Sequence, residues 1–466
     1  MPRPVVQSHF PKPRHPADFL ICLAVAKRQA AYNPGLMKPA GSLARHLATA
    51  ARRRPDALAL SCAGQSWTFA ELLADAGALG AALAGGQGPL VVPGSSLDLA
   101  RHAYACSLEN RTFWPVDRAP KEAPPGCKRS IHWTGELPPC VALIISTSGS
   151  EGEPRGVMLS AANLDAAAAA SNRHLPVQAG DLWLACLPLY HIGGQMILWR
   201  CARAGAAVLL HDGFNADAVA ADLRRYPVTH ISLVPAMLAR MLETGVAPPP
   251  GLRHVLVGGA ALSQALFAKA SAAGWPLNPS YGMSETAAQV ATWTPADGPW
   301  HEGLVGRALG ANEFALAADG RIRIRGPQVM AGYVDGGGVD ADGWLTTGDL
   351  GKIDPFSRLT VTGRADDMLI SGGRNVHPRE VESCLAACPG VHDVAVTGLP
   401  DPAWGDLVVA LVVGEASPES LHDWCRSRLP GAARPRRIVH LTSLPRNAAG
   451  KLERSTLRRL ALEAAA

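Results

Sequence analysis

The sequence predicts an α/β protein in which a small α+β C-terminal domain follows a large N-terminal domain. Helix-like stretches alternate with short apolar segments from Ser42 onward, which is typical of α/β subdomains with mixed or parallel sheets. Beyond Gly303, strand-like segments alternate with Gly/Asp turns, two of them expected at Thr346–Asp349 and Gly363–Asp367, and predict a β-rich subdomain. A last unit of one helix and two short strands predicts the small domain.

Length and composition agree with a multidomain globular protein. The 466 residues exceed one ordinary core, and 48% of them are hydrophobic while 18% are charged. The ten cysteines lack the regular spacing of a disulfide framework, which predicts reduced thiols and a cytoplasmic location. The sequence contains no run of 18 apolar residues, so no transmembrane helix is predicted.

The N-terminal segment is expected to lie outside the folded domains. An apolar run after Arg14 imitates a signal peptide, but Lys27 and Arg28 follow it without a small-residue cleavage site. A disordered extension and a start upstream of the true one at Met37 are the two alternatives. The predicted organisation is therefore an extension at 1–41, an N-terminal domain at 42–363 and a C-terminal domain at 364–466.

The stretch from Val141 to Gly156 predicts a phosphate-binding loop. Its apolar start, VALII, is typical of a buried strand, and the following STSGSEGEPRG combines hydroxyls with glycines. Such a loop lets backbone N–H groups converge on an anion, and Arg155 adds a positive charge. Ser160 is expected to cap the next helix. The Walker pattern is absent, so an ordinary Ser/Gly surface loop is the alternative.

Further polar residues follow segments that read as strands. His191 ends the stretch that begins at Trp183, Gly258 and Gly259 follow an apolar segment, and Glu285 stands beside hydroxyls in a turn. Ligands of open α/β sheets bind at the carboxyl ends of strands. A capping histidine and an exposed turn glutamate are the ordinary alternatives.

The C-terminal end of the chain is basic. The last 46 residues carry ten Arg/Lys against three acids. A solvated basic face is the ordinary interpretation, and a face that binds polyphosphate is the more specific alternative. Nucleic-acid binding is disfavoured, because this excess is confined to a small region and lacks interleaved aromatic residues.

Together these stretches resemble the acyl-adenylate-forming superfamily of acyl-CoA synthetases, luciferases and peptide-synthetase adenylation domains. Six motifs occur in family order between Ser42 and the C-terminus: TSGSEGEPRG, LPLYHIGG, YGMSE, GWLTTGDL, GRADDMLISGGRNVHPREVE and PRNAAGKLER. The resemblance implies that ATP with Mg²⁺ activates a carboxylic acid as an acyl adenylate, and that CoA then accepts the acyl group as a thioester.

The resemblance also implies residue roles. Glu285 holds Mg²⁺, Asp349 accepts hydrogen bonds from the ribose hydroxyls, Arg364 contacts ribose or phosphate, and Lys451 bridges the substrate carboxylate and the α-phosphate. The remaining ATP-binding residues are Thr147, Ser148, Gly149, Ser150, Gly152, Arg155, Gly156, Gly258, Gly259, Tyr281, Gly282 and Ser284. Two departures occur in the phosphate loop, with Glu151 where the family usually has threonine and Arg155 where it usually has lysine.

For the transfer step, the resemblance implies a small domain that rotates about a hinge at Asp366. This rotation removes Lys451 and brings Ser371, Gly372 and Gly373 to the site, where glycine lets a pantetheine arm run close to the backbone.

The stretches LPLYHIGGQ, HISLVP and VLVGGAA are similar to those of o-succinylbenzoate–CoA ligases of menaquinone synthesis. SGGRNVHPREVE and PLYH resemble benzoate- and chlorobenzoate-CoA ligases equally well. We therefore expect a bulky aromatic acid, with o-succinylbenzoate as the first choice. The expected acyl pocket consists of His191 at its mouth, Gly194, Gln195, Arg200 and Ser232. Gln195 or Arg200 is expected to meet the second oxygen-bearing end of the acid.

Alternatives remain open from the sequence. The acceptor could be a carrier protein instead of CoA, and it would then be a separate chain because this one contains no carrier domain. The assembly could be a homodimer. A luciferase-like oxidation has no support in the residues. A non-catalytic binding protein on the same fold is a further alternative, to which only Glu151 points.

Overall fold

Four β-sheets organise the computed structural model, which describes residues 41–86, 88–117, 140–147, 155–446 and 452–464. The helices are α1 Ser42–Arg53, α2 Phe69–Leu83, α3 Ser96–Leu108, α4 Ala161–His174, α5 Ile192–Ala204, α6 Ala216–Arg225, α7 Pro235–Glu243, α8 Gln264–Ala272, α9 Pro378–Ala386, α10 Pro418–Arg426 and α11 Arg454–Glu463. Among the described residues, none of these helices is long and apolar enough to cross a membrane.

The strands of the first half are β1 Leu58–Cys62, β2 Gln65–Thr68, β3 Leu90–Pro93, β4 Phe113–Val116, β5 Val141–Thr147, β6 Arg155–Ser160, β7 Leu182–Ala185, β8 Ala207–Leu210, β9 His230–Leu233, β10 His254–Val257, β11 Leu277–Met283 and β12 Ala288–Thr292. Those of the second half are β13 Leu304–Gly306, β14 Glu313–Leu316, β15 Arg321–Arg325, β16 Gly332–Tyr333, β17 Leu345–Ile353, β18 Leu359–Arg364, β19 Leu369–Ser371, β20 Arg374–Val376, β21 Val391–Asp401, β22 Gly405–Gly414 and β23 Arg437–His440.

The largest sheet confirms the predicted α/β class. Its eight strands run in the order β12-β11-β10-β9-β7-β8-β1-β2, and the interior pairs are parallel while the two edge pairs are antiparallel. Every residue of β7 and of β9 is buried, as expected when helices cover both faces of a sheet. Because β9, β10 and β11 are parallel and in register, their carboxyl ends lie at one edge of the sheet.

The other sheets confirm the mixed, β-rich and small α+β parts of the fold. A mixed sheet has the order β16-β6-β5-β4-β3, and an antiparallel sheet has the order β13-β18-β17-β15-β14. The last sheet joins β20, β19, β22 and β21, with β23 beside β22, and packs against the C-terminal helices. The described residues form one compact unit, so the division at residue 364 stays a prediction.

The structure corrects three local predictions. The chain does not run from the phosphate loop directly into a helix, because β6 pairs antiparallel with β5 first, and Ser160 then caps α4 as predicted. Thr346–Asp349 belongs to β17 rather than to a turn. Its Gly348 is required by a close approach, since a Cβ atom there would lie 2.8 Å from Nη2 of Arg364 on the neighbouring strand. The strand starting near Trp183 ends at Ala185, and His191 is the N-cap of α5.

Candidate active site

The edge formed by the ends of β9, β10 and β11 collects several of the predicted site residues. Gly258 and Gly259 directly follow β10, and Tyr281 and Gly282 lie in the last part of β11. Ser284 and Glu285 form a 3₁₀ turn immediately after β11. Parallel strands thus bring these residues to one edge, where α/β sheets place their ligands.

Glu285 is held by a tyrosine that the motifs did not identify. The hydroxyl of Tyr333 donates to Oε1 of Glu285 at 2.9 Å. Burial and the charge of Glu285 raise the pKa of Tyr333, so this hydroxyl stays a donor at neutral pH. Oε2 of Glu285 has no hydrogen-bond partner among the described residues, and a carboxylate oxygen in this state suits a hard cation such as Mg²⁺.

Arg155 lies over the same tyrosine. Its guanidinium carbon is 3.6 Å from the centroid of the Tyr333 ring, and its Nε and Nη2 atoms both donate to the carboxylate of Asp335. Thr147 is opposite Arg155 in the β5–β6 pair, and its hydroxyl donates to the Arg155 carbonyl at 3.2 Å. The structure therefore brings Thr147, Arg155 and Glu285 together, with Gly156 next to Arg155 in β6.

Some predicted residues cannot be placed. Ser148, Gly149, Ser150, Glu151 and Gly152 of the phosphate loop lie outside the described residues, as does Lys451. Their assigned roles stay predictions.

A second polar group surrounds Asp349. The Tyr281 hydroxyl donates to Oδ2 of Asp349 at 2.8 Å, and Nη1 of Arg364 lies 3.3 Å from Oδ1. Burial and the Asp349 charge raise the pKa of Tyr281 well above its usual value. Asp349 and Arg364 are direct partners in the β17–β18 pair, and Nη2 of Arg364 also reaches Asp366 at 2.9 Å. The β-sheet register thus fixes the relative positions of two predicted residues, Asp349 and Arg364.

Arg200 lies in the interior, on α5. Its side chain is fully buried (1% exposed), and its Nε and Nη1 atoms have no hydrogen-bond partner among the described residues. The guanidinium carbon is 5.4 Å from the centroid of the Trp183 ring, whose Nε1 donates to the Ser232 hydroxyl at 3.2 Å. Burial lowers the pKa of Arg200 to about 10, so it remains charged at neutral pH. Two predicted acyl-pocket residues, Arg200 and Ser232, are therefore both neighbours of Trp183.

Gln195 lies on the same helix as Arg200 but has different neighbours. It is also buried, its Nε2 donates to the Leu189 carbonyl at 2.6 Å, and it lines a cavity of about 520 Å³ together with Trp199 and residues of α1, α3 and β5. Gly194 lies beside it in the first turn of α5. The Oε1 atom of Gln195, like Nε and Nη1 of Arg200, has no hydrogen-bond partner among the described residues, so the choice between these two residues stays a prediction.

His191 marks the start of α5. Its ring centroid is 4.6 Å from that of Tyr190, which is tilted against it. Burial and the neighbouring Asp117 raise the pKa of Tyr190 to about 12. His191 lies at the beginning of α5, and Arg200 lies in its third turn.

Two aromatic contacts that extend from Trp183 were also missed by the sequence reasoning. Trp183 stacks on His230 with ring centroids 4.9 Å apart, and His230 lies 5.2 Å from His254. Burial and the charge of His254 lower the pKa of His230 to about 4, so His230 is neutral at physiological pH. Polar aromatic residues inside otherwise apolar strands were the available signal.

The residues expected at the transfer step form an exposed hairpin. Ser371 is buried at the end of β19, and Gly372 and Gly373 form its two-residue turn with φ of +57° and +72°, the left-handed values that glycine tolerates. The Gly372 N–H donates to the Trp404 carbonyl at 2.8 Å. The turn itself is exposed to solvent.

Two family models match this chain, and two of its relatives are ligases. The AMP-binding enzyme family model matches residues 118–334, and the AMP-binding enzyme C-terminal domain model matches residues 380–451. A 2-succinylbenzoate–CoA ligase of Listeria monocytogenes is 35% identical over 324 residues, covering 68% of this chain and 69% of that protein. The Bacillus subtilis ligase of the same name is 36% identical over 332 residues, with 68% of both chains covered.

Two solved structures are also similar to this chain. The o-succinylbenzoate CoA synthetase of Bacillus subtilis in complex with its acyl-adenylate intermediate superimposes with a TM-score of 0.77 at 29% identity, covering 89% of this chain and 97% of that one. The same synthetase with ATP and magnesium also gives a TM-score of 0.77 at 29% identity, covering 88% and 98%.

Proposed function

The chain belongs to the AMP-binding enzyme family, and from this premise we propose that it is an AMP-forming acid–thiol ligase that converts o-succinylbenzoate to its CoA thioester. In the first half-reaction, a carboxylate oxygen of the acid attacks the α-phosphorus of ATP and pyrophosphate leaves. In the second, the thiol of CoA loses its proton and attacks the acyl carbonyl, and AMP leaves. The names of the relatives and the bound ligands of the similar structures support this proposal.

The proposed nucleotide site contains charged groups that suit the first step. Asp349 is oriented by Tyr281 and Arg364, and each of its oxygens keeps a lone pair for a ribose hydroxyl. Arg155 carries positive charge to the edge of the phosphate loop. Glu285 would hold Mg²⁺ through Oε2, and the bound cation would offset the phosphate charges as they redistribute.

The observation that carries the choice of acid is the buried Arg200. A charged guanidinium without a partner is costly in a protein interior, and a carboxylate is its strongest complement. Arg200 lies nine residues after His191 on α5, or about 14 Å along the axis, and helix side chains lean back toward the N-terminus. A dicarboxylate could thus present one carboxylate near His191 for activation while the other pairs with Arg200.

The acceptor is CoA in this proposal, and a cavity with an excess of arginines on the small C-terminal part supports it. Arg434 and Arg436 line this cavity of about 560 Å³ together with His422, Glu419 and the Arg426–Asp423 ion pair. The guanidinium carbon of Arg436 lies 4.1 Å from the ring centroid of Trp404, whose carbonyl accepts from the Gly372 turn. Phosphates of CoA bound at these arginines would direct its pantetheine arm toward the glycine turn.

The transfer step also requires movement, with Asp366 as the proposed hinge. In the present orientation the turn at Gly372 is exposed rather than packed on the nucleotide site. Helix α9 meets the large part of the molecule through Arg379, whose Nη1 donates to the Val361 carbonyl at 2.8 Å, and through Ser383, whose hydroxyl donates to Glu302. These contacts would break when the small domain rotates.

The test offers the protein ATP, Mg²⁺ and CoA together with o-succinylbenzoate, substituted benzoates or fatty acids. AMP and the thioester are followed by mass spectrometry. We expect a thioester from o-succinylbenzoate at a rate well above the others. Adenylate without thioester would move the acceptor to a carrier protein, and inactivity toward every acid would favour a non-catalytic binding protein.

A further inference from the structure

Asp335 is the residue for which the geometry indicates an unassigned role. It follows β16 and lies outside all six sequence motifs. Both of its carboxylate oxygens accept from Nε of Arg155, at 3.1 and 2.9 Å, and Oδ1 also accepts from Nη2 at 2.9 Å. These contacts join positions 180 residues apart, so the pairing is a product of the fold rather than of local sequence.

Arg155 is restrained on several sides. Besides Asp335, the carbonyl of Gly336 accepts from Nη2 at 2.9 Å, and the Tyr333 ring supports the face of the guanidinium at 3.6 Å. Nη1 has no hydrogen-bond partner among the described residues. One edge of the guanidinium is therefore occupied by protein, and the Nη1 end is left as the donor for an anion.

The same arrangement reaches Glu285. Tyr333 contacts Arg155 with its ring and Glu285 with its hydroxyl. Asp335, Arg155, Tyr333 and Glu285 thus form a continuous series of contacts that ends at the carboxylate proposed to hold Mg²⁺. A change at Asp335 would be felt by groups that face the triphosphate.

We propose that Asp335 is a positioning residue that holds Arg155 in the orientation in which Nη1 meets the β- and γ-phosphates of ATP. The proposal rests on the proposed function. It explains how arginine can stand where the related phosphate loops usually have lysine. Lysine presents a compact ammonium group on a flexible stem, whereas a planar guanidinium must be aimed, and a bidentate carboxylate aims it.

The pair is too exposed to be explained by stability. The side chains of Arg155 and Asp335 are 42% and 58% exposed, and such surface pairs contribute little to folding. If Asp335 only competed with phosphate for Arg155, its removal would strengthen ATP binding. If it positions Arg155, its removal weakens ATP binding, so the two roles have opposite signs.

The test measures binding of MgATP and of AMP by isothermal titration calorimetry, which requires no acid substrate. The variants are Asp335→Asn, Arg155→Lys, the double variant, and Asp319→Asn as a matched control, because Asp319 forms an equally exposed pair with Arg321 at 2.7 Å. We expect Asp335→Asn to weaken MgATP binding about three- to tenfold and to leave AMP binding unchanged, because AMP lacks the outer phosphates. Asp319→Asn should leave both ligands unaffected.

The double variant tests the route of the effect. In the Arg155→Lys background, Asp335→Asn should cost little further affinity, because the guanidinium that it aims is gone. Unchanged or tighter MgATP binding by Asp335→Asn, or fully additive losses in the double variant, would overturn the positioning role while leaving the proposed function intact. Failure of the unaltered protein to bind MgATP would overturn both proposals.

Discussion

The proposed nucleotide site and the interior around Arg200 differ in how their charged groups are paired. In the nucleotide site, Asp349 already bonds to Tyr281 and Arg364, and Glu285 already bonds to Tyr333. In the interior, Arg200 is fully buried and two of its nitrogens have no partner among the described residues. One region is preorganised by the protein, and the other is complemented by its substrate in our proposal.

This difference has a physical basis. Groups at the partly open sheet edge can keep some hydration while they wait for ATP, so protein contacts need only orient them. A buried guanidinium gains much more from a carboxylate, because burial strengthens the interaction and leaves few competing water contacts. Selectivity for the acid should therefore depend on the interior, and the rate of adenylation on the nucleotide site.

Removing the charge of Glu285 should have the largest effect. Glu285→Gln keeps an oxygen that can accept from Tyr333, so the fold should persist, but the oxygen proposed to bind Mg²⁺ is lost. We expect ATP–pyrophosphate exchange to fall about 10²- to 10³-fold, the scale of losing a group that stabilises developing charge. Activity within tenfold of the unaltered enzyme would show that Glu285 does not hold the cation.

Lowering the pH should reduce the free energy of unfolding, because His230 is buried in its neutral form. The folded pKa of His230 is about 4, below its ordinary value of 6.5, because the ring is buried. The unfolded chain therefore binds the extra proton first, and stability present above pH ~6.5 is lost as the pH falls toward 4, by up to about 3 kcal/mol. Chemical denaturation at several pH values measures this loss. His230→Phe should flatten the curve, and an unchanged slope would contradict the assignment to His230.

Replacing Arg200 should separate selectivity from stability. Arg200→Met removes the buried charge at similar length, so the melting temperature should stay equal or rise, since replacing a buried charge by an apolar side chain is often stabilising. We expect kcat/KM for o-succinylbenzoate to fall about 100-fold, and the value for plain benzoate to change far less. Arg203→Met on the exposed face of α5 is the matched control. Equal losses for both acids would argue against a carboxylate at Arg200.

Removing the Tyr281 hydroxyl should have the smallest effect of this set. Tyr281→Phe leaves Asp349 with Arg364 as its remaining side-chain partner, so the carboxylate loses part of its orientation. We expect the KM for ATP to rise about threefold to tenfold with little change in the preference among acids. A change in that preference would contradict the claim that acid selectivity depends on the interior alone.

The sequence predicted the parts of the molecule that depend on local pattern. The strand before the phosphate loop, the cap at Ser160 and the grouping of Tyr281 with Glu285 follow from short motifs. The pairing of Arg155 with Asp335 could not be predicted, because it joins residues distant in the chain. Nor could the burial of Arg200, since helical periodicity does not tell which neighbours cover each face. Gly348 was expected in a turn because the sequence does not show that Arg364 would pack against its backbone.

The most direct test of whether Arg200 pairs with the second carboxylate of the acid uses the unaltered enzyme. It compares kcat/KM for o-succinylbenzoate with the values for its two monoacid analogues, each lacking one of the two carboxylates. The account predicts that both analogues lose at least about 100-fold, one because the reacting carboxylate is gone and the other because Arg200 is left without its partner. An analogue with a single carboxylate that reacts as well as the dicarboxylate would contradict it.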